Sequence, residues 1–248
     1  MFRIDRSEKN PNLISIFTGE ICNLACTLCG VDASTRWQSE LKHFDHNDPL
    51  LYQDDTDTDN VDFTGAISIT FGGGEPVLNK STIPLLKKIS SSTVVLIHFN
   101  CTVLPSKQLL DECARFDHIE FILSIDDTQE RFNYLRWPAD WDKVVKNILW
   151  MKENCPDNIR FAVNTVINLL NEHTYHTVEE WINNNIPTNR SGYKTTCSTN
   201  ESNGFLTRVN SWTDYRKIIE IGKLDRLDKK RNLNWRETFP MATDIDVG

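Results

Sequence analysis

The sequence has no apolar run approaching the roughly 20 residues that a membrane-spanning helix needs. Its first residues, Met1-Phe2-Arg3-Ile4-Asp5, lack the apolar core of a signal peptide. Positive charge is also short: 27 Lys and Arg stand against 35 Asp and Glu, for a formal net charge of −8 and a pI near 5.3. No overall basic field therefore draws phosphate backbones or anionic lipid, which argues against nucleic acid or a membrane surface as the main partner. Seven cysteines is an odd number, and three of them fall within eight residues, so the set does not make a secreted disulfide framework. A reducing compartment and a metal role fit better, and a cytoplasmic protein is expected. With 248 residues, 39% hydrophobic and 25% charged, the chain is long enough for one sizeable core.

Short β-branched or aromatic runs recur, each followed by a polar or helix-like stretch, which is the pattern of βα units and a parallel sheet. Strands are expected at Leu13 to Thr18, Ala66 to Phe71, Thr93 to Asn100, Ile119 to Ile125 and Arg160 to Ile167, with a weaker sixth near Tyr193 to Ser198. Apolar residues at three- and four-residue spacing predict helices over Thr82 to Ser90, Ser106 to Phe116, Trp141 to Asn154 and Thr177 to Asn184. Pro105-Ser106 and Thr177-Val-Glu-Glu180 read as helix starts.

Two stretches break this rhythm. Asp45 to Asp62 carries seven Asp and little apolar material, and reads as a solvated insertion. Its Asp55-Thr-Asp-Thr-Asp-Asn60 is a poor calcium loop, with Asn60 where Gly belongs at position six and Ala66 where Glu belongs at position twelve. Pro187 to Asn210 is rich in Asn, Ser and Thr, and precedes a final charged helix from Trp212 to about Arg231 that is expected to pack across the body.

Cys22-Asn-Leu-Ala-Cys26-Thr-Leu-Cys29 has the spacing CxxxCxxC and follows directly on the first strand. Thiolates this close in one loop can converge on a soft-metal centre. Structural zinc sites and electron-transfer clusters normally close with four protein ligands, whereas three thiolates leave a metal position open to a small molecule. The plain alternatives are buried structural cysteines, or a zinc site completed by His43 or His46. The second strand runs into Phe71-Gly-Gly-Gly-Glu-Pro76, where glycines permit close approach to a ligand or positive φ and Pro76 ends the strand. Glu75 is thus presented from a tight turn at the strand's carboxyl end, and no GK[ST] or GxGxxG follows to make this a phosphate or dinucleotide loop.

In that order along the chain, the cysteine loop after strand one and Gly-Gly-Glu-Pro after strand two resemble the radical S-adenosylmethionine (SAM) superfamily, over roughly Leu13 to Ile167. The resemblance implies an α/β fold, a partial (β/α)6 TIM-like barrel, with its core over 13–167, the acidic insertion at about 45–62 within a barrel domain of 1–186, and a short helical C-terminal extension over 187–248. It implies a 4Fe-4S cluster whose three irons sit on Cys22, Cys26 and Cys29, with SAM on the fourth. Gly73, Gly74 and Glu75 match the segment that holds the methionine ammonium, for which a carboxylate and free carbonyls are suited. Asn100 closes the third strand where the family often has a Thr-Asn pair. Ser124-Ile-Asp126 resembles the family's Ser-Ile-Asp-Gly segment at SAM's ribose and carboxylate, with Asp127 in place of Gly. Asn164 and Val166 are weaker candidates for the adenosine contact. As plain alternatives, Asn100 and Ser124 cap strands and Asp126 caps the helix near Thr128.

A closer resemblance, to small radical SAM proteins with a "twitch" C-terminal subdomain, viral ones included, rests on Cys29-Gly30, Tyr134-Leu-Arg-Trp-Pro138 with Trp141-Asp142, Leu227-Asp-Lys-Lys-Arg-Asn232 and Glu237-Thr-Phe-Pro240. It places Arg136 against an anionic group of SAM or substrate; a solvated helix-end arginine is the alternative. Twitch subdomains commonly hold a second cluster, but beyond the barrel this chain has only Cys197, so no auxiliary cluster is expected, and Cys113 and Cys155 read as buried thiols on helices. His173 and His176, spaced HxxH without a flanking acid, are weak for zinc. The resemblance implies reduction of the cluster by a flavodoxin- or ferredoxin-type donor, cleavage of SAM to a 5′-deoxyadenosyl radical, and hydrogen abstraction from a peptide, a protein side chain or a small metabolite. Its rivals are an iron-sulfur electron carrier and a zinc-stabilised binding module without SAM turnover.

Overall fold

The structure is a computed structural model that describes residues 12–41, 61–168, 170–186, 191–196 and 214–242. Six strands form one sheet: β1 (Leu13–Phe17), β2 (Ser68–Gly72), β3 (Val94–Phe99), β4 (Ile119–Ser124), β5 (Ile159–Val166) and β6 (Ser191–Thr196). They lie in chain order, each parallel to the next, and among the described residues β6 does not return to pair with β1. Helices α1 (Thr35–Leu41), α2 (Thr82–Lys88), α3 (Lys107–Cys113), α4 (Gln129–Leu135), α5 (Trp141–Asn154), α6 (His176–Asn185), α7 (Asp214–Arg231) and α8 (Trp235–Thr238) fill the connections and the C-terminal segment. This is an open, barrel-like β/α sheet, the fold expected for a partial TIM-like barrel.

The two-residue alternation of a strand decides which side chains meet the helices. Phe71, Ile97, Phe99, Phe121, Leu123 and Phe161 are buried on one face, where Leu86, Leu109, Phe132, Val144, Met151 and Val178 of α2 to α6 cover them. Helix starts are fixed locally. Ser106 Oγ accepts from the Leu109 N–H and Asp140 from the Lys143 N–H, so α3 and α5 begin where their side-chain caps stand.

The predicted elements are present with shifted ends. β2 starts at Ser68 rather than Ala66, after a turn in which Gly65 has φ of +82°. α3 stops at Cys113, and β6 covers 191–196 rather than 193–198. Helix α4 is the helix expected near Thr128; its seven residues carry too few apolar positions to show a period, and tertiary burial of Phe132 and Leu135 stabilises it. The calcium-like segment and most of the acidic stretch, as well as Cys197, lie outside the described residues.

The C-terminal segment packs on the cysteine loop side. Leu224, Trp235, Phe239 and Ala242 join Leu28, Tyr134, Leu135 and Val166 in a second apolar cluster, while Leu227 packs with Ala25 and Trp37 in a third. Tyr134 Oη donates to Asp228 at 2.7 Å, tying α4 to α7.

Candidate functional site

A cavity of about 400 Å³ opens at the carboxyl ends of the strands, within the size range of small-molecule sites. Cys22, Cys26 and Cys29 form part of its wall, and Gly73, Gly74, Glu75, Asn100, Ser124, Arg136, Asn164 and Val166 line the rest. Residues from the first loop, four strand ends and the end of α4 thus meet in one place. Burial raises the Cys22 thiol to about 11, and Cys26 is held high by its hydrogen bond with Cys29 and by burial. Among the described residues, no three His, Cys, Asp or Glu side chains converge on one ion, the loop cysteines included. His43 and His46 lie outside the described residues.

The glycines of Gly72-Gly73-Gly74 serve the chain itself. Gly73 has φ of +106°, and a Cβ there would stand 2.8 Å from the Gly19 carbonyl oxygen; at Gly74 a Cβ would collide with the Ile21 carbonyl. The Gly74 N–H donates to the Gly19 carbonyl at 2.8 Å and the Glu75 N–H to the Ile21 carbonyl at 2.7 Å. This turn therefore grips the loop segment that leads from β1 into Cys22, and only glycine allows that approach. Glu75 is buried, with one carboxyl oxygen accepting from the Asn100 N–H at 2.8 Å and the other from the Val77 N–H at 3.1 Å. Burial raises its carboxyl to about 7, against the pull of those two amides and of Arg136.

Asn100 is linked to the cysteine loop. Its Nδ2 donates to Asn23 Oδ1 at 3.0 Å, while its Oδ1 accepts from the Thr102 N–H at 3.0 Å and the Thr102 hydroxyl at 2.7 Å. Asn23 Nδ2 completes the ring by donating to Thr102 Oγ1 at 2.8 Å. Ser124 and Asn164 are register partners on β4 and β5 and face the cavity together.

Asp126 does not line the cavity. Its Oδ2 stands 2.8 Å from Arg136 Nε, and its Oδ1 accepts from the Val166 N–H at 3.0 Å. Arg136 is mostly but not wholly buried; burial opposes its charge, but Asp126, Cys26 and Cys29 outweigh that and keep it cationic. Its Nε lies against the Asp126 carboxylate without an aligned hydrogen bond, so the pair is held by charge. Asp127, in the position where the family pattern has Gly, accepts from the Thr128 N–H at 2.7 Å, Arg131 Nε at 2.9 Å and the Thr174 hydroxyl at 2.6 Å. Asp127 therefore serves the start of α4, the role considered for Asp126.

The sequence reading missed His98, which lines the cavity from β3 two residues before Asn100 and so on the same face. It also missed Ser34, whose hydroxyl donates to the Leu24 carbonyl at 2.5 Å and accepts from the Trp37 N–H at 3.2 Å. Cys101, Cys113 and Cys155 are buried and do not line the cavity. His173 is paired with Glu172 on the surface, away from it.

The chain belongs to the radical SAM superfamily, whose family model matches residues 16–184. Members of that superfamily use a 4Fe-4S cluster and SAM. No curated protein matches the sequence. The fold is similar to that of Streptococcus suis SuiB bound to S-adenosylmethionine, at a TM-score of 0.53 and 17% identity, over 91% of this chain and 50% of that one. It is likewise similar to SuiB bound to precursor peptide SuiA, at a TM-score of 0.54 and 16% identity, over 91% and 48%. The chain thus spans about half the length of these solved proteins, and at such identity the likeness concerns the fold.

The residues present fit the family's cofactors. Three thiols share one wall, an acid and an arginine stand beside them, and the cavity has room for a small ligand. Among the described residues no helix is long and apolar enough to cross a membrane.

Proposed function

We propose that this chain is a radical SAM enzyme, with Cys22, Cys26 and Cys29 each binding one iron of a 4Fe-4S cluster and SAM lying in the adjoining cavity. The observation that carries the reading is that these three thiols line the same cavity as Glu75 and Arg136. Bound there, the cluster and SAM would supply radical chemistry for hydrogen abstraction from substrate. Glu75 and the carbonyls of Gly73 and Gly74 face the methionine ammonium of SAM. Arg136 faces its carboxylate, its charge and remaining N–H groups suiting an anion. Asp126 acts through Arg136, holding the guanidinium in place. Ser124, Asn100 and Asn164 offer hydroxyl and amide groups to the ribose and adenine. The walls keep water from the reacting centre.

The reductant in this reading is a flavodoxin- or ferredoxin-type donor, and the setting is the cytoplasm, where thiols stay reduced. The substrate is a peptide, a protein side chain or a small metabolite. A peptide has the further support of the SuiB likeness, since that protein was solved with its precursor peptide. Residues 187–248 are read as a reduced, twitch-like extension without an auxiliary cluster, as Cys197 is the only cysteine there. The test is visible absorption and low-temperature electron paramagnetic resonance after anaerobic reconstitution with iron and sulfide, before and after SAM. A brown protein whose reduced-cluster signal changes on adding SAM is expected. A cluster indifferent to SAM would indicate an electron carrier, and a colourless zinc protein a binding module.

A further inference from the structure

The last residue of α7 reaches the cysteine loop from the far end of the chain. Arg231 is buried, and its Nη2 donates to the Ala25 carbonyl at 2.9 Å, between the first and second cysteines. The same guanidinium meets Glu40 of α1 at 2.9 and 3.2 Å and lies over the Trp37 ring, 4.8 Å from its centroid. Trp37 in turn donates its Nε1 to the Cys26 carbonyl at 2.8 Å. On the other side of the loop, the Ala25 N–H donates to the Trp137 carbonyl at 2.6 Å and the Thr27 N–H to the Leu135 carbonyl at 2.8 Å. Four backbone polar groups between Ala25 and Thr27 are thus held by α1, by the end of α4 and by α7. Arginine suits the central position because its planar fork can serve a carboxylate and a carbonyl at once while its face stacks on an aromatic ring.

We infer that Arg231 is a positioning residue for the cluster: by binding the Ala25 carbonyl, against Glu40 and Trp37, it fixes the loop backbone from which Cys22 and Cys26 present their thiols. The C-terminal helix is then part of the cluster site rather than an appendage to the barrel. This rests on the radical SAM reading for the identity of the bound group, but the framing of the loop belongs to the protein without it.

Two measurements separate those levels. In the metal-free protein, Arg231→Met is expected to speed amide hydrogen exchange at Ala25 and Thr27 by about tenfold or more, with β3 and β4 unchanged, because a charge-assisted bond is lost locally. In the reconstituted protein the same variant is expected to release iron to a chelator about tenfold faster and to broaden the reduced-cluster resonance signal. Trp37→Phe, which removes the bond to the Cys26 carbonyl but keeps an aromatic ring, should move both readouts in the same direction and less. Met151→Ala, a buried core change remote from the loop, serves as the stability control. The inference is overturned if Arg231→Met leaves exchange at Ala25 and Thr27 at the wild-type rate, or if Met151→Ala at equal loss of stability loosens the loop and releases iron as fast. If wild-type protein takes up no cluster while Arg231→Met still frees those amides, the framing stands and the cluster reading falls.

Discussion

The helix-covered face of the sheet and the face that carries the cavity use the same strands and the same two-residue alternation, yet they are built from different residues. On the covered face Phe71, Phe99, Phe121 and Phe161 interlock with helices, whereas the cavity side of the same strands carries Gly72, His98, Ser124 and Asn164. The first face stabilises by removing apolar surface from water, so its loss is global. The second keeps polar groups in reach of a ligand and contributes little to the fold itself. Where polar side chains are fully buried near the cavity, as at Glu75 and Asp126, backbone amides or a partner charge satisfy them.

The contrast can be broken or sharpened by substitution. Phe121→Ala, on the covered face, is expected to cost about 3–5 kcal/mol, read as a lower denaturant midpoint, because a fully buried ring leaves a cavity. A loss no larger than that at a surface position would show that the covered face does not carry the fold. Glu75 joins the two faces, and its effect depends on pH. Burial raises its carboxyl from 4.5 to about 7, so the folded protein keeps a proton that the unfolded chain releases over that window. Its contribution is complete below pH 4.5 and is lost as pH rises through 7, on the order of 3 kcal/mol. Chemical denaturation of wild type and Glu75→Gln across pH 4 to 8 should show that decline in wild type and a flatter curve in the variant; parallel curves would mean that Glu75 is charged throughout. Ser124→Ala, on the cavity side, should change stability by no more than about 0.5 kcal/mol while weakening the SAM-induced change in the cluster signal. A large stability loss there would erase the distinction between the faces.

Most of the fold was legible because parallel strands buried against helices read as short β-branched and aromatic runs, and the cavity residues were legible because the ends of those runs carry the polar positions. Ser124 and Asn164 came from the resemblance to the radical SAM pattern at those strand ends, and His98 could have been found from Asn100 by stepping back two residues. The missed features are those that no local pattern encodes. Asp126 pairs with Arg136 only because α4 folds back over the strand end. The glycines of the second loop looked made for a ligand, and the space they leave is taken up by the Gly19 and Ile21 carbonyls. The bond between Arg231 and Ala25 spans 206 residues, which local sequence cannot reveal.

That same long bond sets a timetable for biogenesis. At about 5–20 residues per second on the ribosome, roughly 10 to 40 s separate the synthesis of Ala25 from that of Arg231. Throughout that interval the cysteine loop exists without the arginine that closes its frame, and Cys22, Cys26 and Cys29 belong to a nascent chain whose cradle is incomplete. The completed arrangement is therefore a property of a chain extended at least to Arg231 rather than of its first domain-sized fragment.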